Sequence, residues 1–224
     1  MKIDKNEVLR YLGYKNQKIS AELDQKINFL VADAKKTLKP KAFFEIFEPE
    51  IEDVIYLKET SLVLRGKSIL NHLNGAEKVA VMAVTLGIEA ERTILKYQHT
   101  DMVSTVISDA VFDAFVETVA DEIQQKIEEK AKAEGLFISS RFSPGYGDLP
   151  LETQQDIISC LSLGKRIGLT VTESNILVPR KSITAIVGLF KEEQKIKKTG
   201  CETCNLKDKC KSKKEQIKCL KKNL

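Results

Sequence analysis

The spacing of apolar and polar residues changes period twice along this chain of 224 residues. At the N-terminus the spacing is helical. Asp4 followed by Glu7 reads as a capping box that opens a short helix, with Gly13 as its stop. Ser20 caps a second helix, in which Leu23, Ile27, Leu30, Val31 and Ala34 recur at three and four residues. After Pro40 the pattern turns to short β-branched or aromatic runs. KAFFEIFEPE, IEDVIYL and SLVLRG stand between charged or glycine breaks and predict strands. KVAVMAVTLG is longer and almost wholly apolar, and its valines predict a buried strand rather than a helix. Ile88–Tyr97 and Asp101–Glu134 predict helices, the second being the longest regular element. Arg141–Pro150 then reads as a Pro/Gly loop, Glu152–Gly164 as a helix, and LTVTES and SITAIVGLF as further strands. Helices, strands, long helices and strands again, without a strict βαβ alternation, predict an α+β fold.

The long helix carries a conflict within it. Val103, Val106, Ile107, Ala110, Val111, Phe112, Phe115, Val119 and Ile123 cover nearly its whole circumference, as in a largely buried helix. Yet Asp109, Asp113, Glu117 and Asp121 repeat every four residues along one stripe. Like charges at that spacing cost a few tenths of a kcal/mol each. Either the stripe is a solvated strip on a buried helix, or Asp113 and Glu117 accept hydrogen bonds from a cationic or hydroxyl-bearing ligand.

Composition narrows the class. With 42% hydrophobic and 30% charged residues and no Trp, the chain reads as a soluble globular protein. Its longest uncharged apolar run, Val79 to Ile88, is about half the length of a membrane span. The opening MKIDKNEVLR lacks an apolar signal region, so a cytoplasmic protein is expected. The net charge of +4 is unevenly placed: residues 191–224 hold 12 Lys against five acids, or +7, leaving −3 on residues 1–190. Two units are therefore expected, a folded domain over 1–190 and a Lys/Cys-rich tail over 191–224.

Within the first unit the loop RFSPGYGDLP carries the sharpest signal. Its prolines stiffen the backbone, and its glycines allow another group to approach closely. Arg141 offers a forked, permanent cation suited to a carboxylate or phosphate, and Tyr146 a flat face with a polar tip. Such a set suits a small anionic, ring-bearing ligand, although by composition alone a Pro/Gly loop is more often a plain connector.

RFSPGYGDLPLETQ, followed by LTVTES and VPRKSITAIVGL and preceded by the helix ISDAVFDAFVETVADEI, resembles the activation domain of cobalamin-dependent methionine synthase. It resembles most the free-standing activation-domain proteins, over roughly Lys2 to Phe190. The Arg-x-x-Pro-Gly-Tyr motif is its most specific part. The resemblance implies a mainly antiparallel, twisted sheet packed with long helices. It also implies binding of S-adenosylmethionine, and a reactivation role in which cob(II)alamin takes up one electron and the sulfonium methyl group. Arg141, Gly145 and Tyr146 match the family's loop residues, Glu117 matches an acidic ligand-facing position, and Asp113 stands one turn before it. The Asp-x-His-x-x-Gly signature of a cobalamin-binding domain is absent, as are homocysteine and folate modules. The corrinoid is therefore expected on a partner, a cobalamin-binding methionine synthase or another corrinoid protein. The chain alone should be inactive as a methyltransferase. An electron donor of the flavodoxin or ferredoxin type is also implied. A ligand-contacting tyrosine of the family's later, aromatic-rich segment has no counterpart here.

In the tail, Cys201, Cys204, Cys210 and Cys219 fall within nineteen residues. In a cytosolic-type chain they point to metal rather than disulfides. Structural zinc sites usually pair two close knuckles, and only one close pair exists here. An iron–sulfur cluster fits the uneven spacing at least as well as zinc, and free thiols remain a third reading. Cys160 reads as a buried small hydrophobe, and His72 and His99 stand singly. A competing reading makes the chain a metal-tailed basic nucleic-acid or protein-binding module. Only tail charge supports it, since the tail has no aromatic residue on which to stack bases.

Overall fold

The computed structural model of the chain describes residues 3–15 and 17–194. Two helices, α1 (Lys5–Tyr11) and α2 (Ala21–Thr37), lead into strands β1 (Lys41–Phe47), β2 (Pro49–Ile51), β3 (Ile55–Leu57) and β4 (Val63–Leu64). Helix α3 (Lys67–Leu73), strand β5 (Lys78–Thr85), and helices α4 (Ile88–Thr100) and α5 (Met102–Ala133) follow. The chain continues through β6 (Phe137–Ile138), α6 (Thr153–Cys160), α7 (Leu163–Arg166), β7 (Thr170–Val171), β8 (Leu177–Val178) and β9 (Ser182–Phe190). The central sheet is antiparallel throughout, in the order β1-β5-β9-β6. This is the α+β fold expected, an antiparallel sheet packed with long helices.

The run KVAVMAVTLG is apolar because both faces of β5 are covered. Ala80, Met82 and Val84 join the core under α2 and α5, with Ala185 and Val187 of β9. Val79, Val81 and Ala83 join a second core with Ile186, under α3, α6 and strands β3 and β4. Each strand residue thus belongs to a core whichever way it points, and the usual alternation disappears. Helix α5 spans the first core, where Phe112, Phe115 and Val119 are buried.

Several local expectations change in the structure. The α1 cap is only half a capping box: Asp4 accepts from the Asn6 amide at 2.8 Å, but Glu7 turns to Arg10 instead. Val103 and Val106, expected within the buried circumference, are exposed near the start of α5. The helix expected over 152–164 breaks at Ser162, whose φ of +50° is left-handed, giving two short helices. Of LTVTES only Thr170 and Val171 form a strand. Helix α3 follows Gly66, and no local capping residue predicts it.

Candidate functional site

The stripe on α5 and the Pro/Gly loop meet. Residues 139–142 run antiparallel to β9, with Phe142 and Ile186 exchanging backbone hydrogen bonds at 2.9 and 2.8 Å. That pairing sends the Arg141 side chain across to α5. Its guanidinium donates to Glu117 at 2.9 Å and to Asp121 at 2.8 Å. The other half of the stripe has a different partner: Lys181, only 12% exposed, bridges Asp109 at 2.8 Å and Asp113 at 2.7 Å. Two cations thus offset four carboxylates in two consecutive pairs.

Beside Arg141 lies a cleft of about 450 Å³, within the size range of small-molecule sites. Glu117 and Gln124 of α5 form one side, with Ser140, Arg141, Ser143 and Tyr146 of the loop. Gln154 of α6, Leu177 of β8 and Ser182, Ile183 and Thr184 of β9 complete it. Of the five ligand residues expected from sequence, Arg141, Glu117 and Tyr146 come together on this cleft. Gly145 stands next to Tyr146 with φ +87° and donates its amide to the Leu149 carbonyl at 2.9 Å, shaping the turn without lining the cleft. Asp113 is held by Lys181 and does not line it.

Glu117 is electrostatically unusual. Burial pushes its carboxyl above the ordinary range, and the Arg141 guanidinium offsets this only in part. The neighbouring Asp121 carboxylate adds to the rise. Helix α1 belongs to the same neighbourhood: Arg10, stacked over the Tyr11 ring at 4.3 Å, acts on Glu117 through space. Tyr146 is 61% exposed and meets Phe142 edge-on at 6.2 Å, so its ring stands free to cover a flat ligand. Gln154 is a polar residue in a buried wall, and its Oε1 has no hydrogen-bond partner among the described residues. Leaving such an acceptor unpaired costs about 1–3 kcal/mol, a cost that a ligand donor would remove.

Sequence reading missed Gln154, Lys181, Ser182 and Thr184, which come from elements distant in the chain. Lys181 had a signal available, since four carboxylates on a buried helix require nearby cations.

A family model for the vitamin B12 dependent methionine synthase activation domain matches residues 69–214. The chain belongs to that family. The match runs past Phe190 into the Lys/Cys-rich segment and begins within α3. The fold agrees with a crystal structure of the MetH reactivation domain bound to AdoHcy, with a TM-score of 0.65 at 16% identity. That alignment covers 96% of this chain and 81% of the other. No curated protein matches the chain. In this chain the central sheet and its long helix frame the cleft. Among the described residues no group of three or more His, Cys, Asp or Glu side chains could hold a metal ion. The four tail cysteines lie outside the described residues. No helix among the described residues is long and apolar enough to cross a membrane.

Proposed function

We propose that the chain binds S-adenosylmethionine in the cleft and serves as the reactivation component of a cobalamin-dependent methyltransferase system, methionine synthase or another corrinoid protein. The observation that carries this reading is the pairing of Arg141 with Glu117 on one cleft, in a fold whose solved relative holds AdoHcy. The ligand brings its own opposite charges to exchange with that pair. Its carboxylate suits the Arg141 fork, and its amino group and sulfonium suit Glu117. Tyr146 covers the adenine face, with Gly145 giving the turn its shape, and Ser182, Thr184 and Gln154 offer partners for hydroxyl or amino groups. Asp113 stays paired with Lys181, one turn before Glu117, and is assigned no ligand contact.

The corrinoid is a substrate carried by the partner. One electron reduces cob(II)alamin to the cobalt(I) nucleophile, which takes the sulfonium methyl group and leaves S-adenosylhomocysteine. The residues of this chain contribute orientation, and an error of an ångström in the methyl position can cost about a hundredfold in rate. With a cobalamin-loaded partner, a strong reductant and S-adenosylmethionine, the protein should convert cob(II)alamin to methylcobalamin. The same rate without the protein would refute the assignment, and methyl transfer to cobalamin by this chain alone would refute the need for a partner. We assign an iron–sulfur cluster to Cys201, Cys204, Cys210 and Cys219, with zinc as the alternative metal. The physiological electron donor is then of the flavodoxin or ferredoxin type, acting in the cytoplasm.

A further inference from the structure

We propose that Asp148 is a positioning residue for the cleft: by capping α3 from across the fold, it fixes the turn that presents Tyr146 and Arg141. The proposal rests on the ligand reading above for its affinity arm, and on geometry alone for the rest. Helix α3 begins after Gly66, which has no side chain to accept the first helical amides. Asp148 supplies the missing acceptors. Its Oδ2 accepts from the Lys67 amide and its Oδ1 from the Ser68 amide, each at 2.8 Å. A helix cap ordinarily sits just before its own helix. Here it comes from a loop some eighty residues later, so the two bonds cross-link the ligand loop to α3.

Both sides of this contact require glycine. A Cβ at Gly66, where φ is +130°, would stand 2.7 Å from Asp148 Oδ1 and 2.8 Å from its carbonyl oxygen. A Cβ at Gly147, where φ is +56°, would stand 2.5 Å from Ser68 Oγ. The far end of α3 grips the start of the same loop. His72 Nε2 lies 3.0 Å from both the Ser140 carbonyl oxygen and Ser139 Oγ, and its ring lies 5.0 Å from Phe142. Arg141 and the Tyr146 turn are therefore held between two attachments to one short helix. Within the turn, Tyr146 donates to Ser143 at 3.0 Å and Leu149 to Tyr146 at 3.1 Å. Leu149, 2% exposed, seals the turn into the second core. Asp148 does not line the cleft, so it acts through the loop. The backbone donors of Ser68 and Lys67 hold its carboxyl below the ordinary range, as expected of an ionised cap.

Asp148→Asn keeps the size but leaves one acceptor and turns an amide N–H₂ toward the second donor. Gly66→Ala displaces the same carboxylate from the helix side while leaving Asp148 in place. In the full chain, each should weaken binding of S-adenosylhomocysteine about tenfold by calorimetry, well below the melting temperature. In an Arg141→Ala background, Asp148→Asn should add little, because both changes act through one loop. Amide hydrogen exchange at Gly145, Tyr146 and Leu149 should accelerate about tenfold in Asp148→Asn. Exchange at Val111 and Ala80, both fully buried and away from the loop, should keep its native rate. A lowered melting temperature with native affinity would overturn the proposal, because the cap would then be structural only. Native exchange in the turn would overturn it whatever the ligand result. If the unmutated chain fails to bind the probe while Asp148→Asn still accelerates turn exchange, the clamp stands and the ligand reading alone falls.

Discussion

Replacing Arg141 by Ala tests the ion pair at the centre of the cleft. In the free protein the guanidinium already spends two donors, on Glu117 at 2.9 Å and Asp121 at 2.8 Å. Ligand binding therefore exchanges partners rather than filling empty donors. A charge-assisted hydrogen bond from Arg to a ligand carboxylate contributes about 1.5–3 kcal/mol. Against that stands the loss of the existing pairs, whose acids are 43% and 70% exposed on their side chains. Pairs that exposed contribute about 0–1 kcal/mol. The difference leaves about 1–2 kcal/mol for the exchange, a loss of roughly 5- to 30-fold in affinity for S-adenosylmethionine. Calorimetry on the native chain and Arg141→Ala measures it directly. Arg141→Lys should recover only part of the loss, because an ammonium keeps the charge without the planar fork. Affinity within twofold of native in Arg141→Ala would refute the exchange and remove Arg141 from the site.

Glu117 should make binding depend on pH: burial raises its carboxyl's pKa, so it takes up a proton at milder acidity than an ordinary carboxylate and loses the charge a cationic ligand needs. Affinity should fall as the pH is lowered from neutral, at milder acidity than an ordinary carboxylate would give, and Glu117→Gln should bind more weakly with a flatter profile; an unchanged slope in that variant would assign the titration elsewhere. Lys181→Met should act on stability, since it leaves Asp109 and Asp113 without their shared cation. A loss of about 1–2 kcal/mol and a melting point lower by about 2–8 °C are expected, with ligand affinity within twofold of native. An affinity loss at native melting temperature would instead place Asp113 and Lys181 in the site. Anaerobic purification should yield iron and sulfide with a visible absorption band from Cys201, Cys204, Cys210 and Cys219, and a colourless protein with one zinc per chain would replace the cluster with zinc.

What the sequence disclosed about the fold depended on how local the cause was. Ser20 caps α2 through the Leu23 amide at 3.2 Å, and both partners lie within one turn of chain. The valine-rich run of β5 announced its burial because both faces meet cores. Helix α3 stayed hidden because its cap is Asp148, so no residue just before Lys67 announces a start. The break at Ser162 was equally illegible: a left-handed serine has no distinctive neighbours, and the apolar pattern continues through it.

The site divides along the same line. The loop motif and the four-residue acidic spacing could both be read in the chain, but their meeting could not, since the Arg141–Glu117 contact spans 24 residues and the Lys181–Asp113 contact 68. The spacing alone left a solvated strip and a ligand surface equally open, and each half of the stripe now has its own physical setting. Asp109 and Asp113 face a lysine that is nearly enclosed and stands immediately before β9, so releasing it would strand a cation in a poorly solvated place. Glu117 and Asp121 face an arginine on a loop, at the mouth of a cleft where an incoming zwitterion can replace both members of the pair at once. A stripe of like charges is tolerable on a buried helix because cations answer it, and it becomes useful where one of those cations can change partners. That difference, set by burial and by the arginine's forked donors, separates the structural half of the stripe from the half proposed to bind ligand.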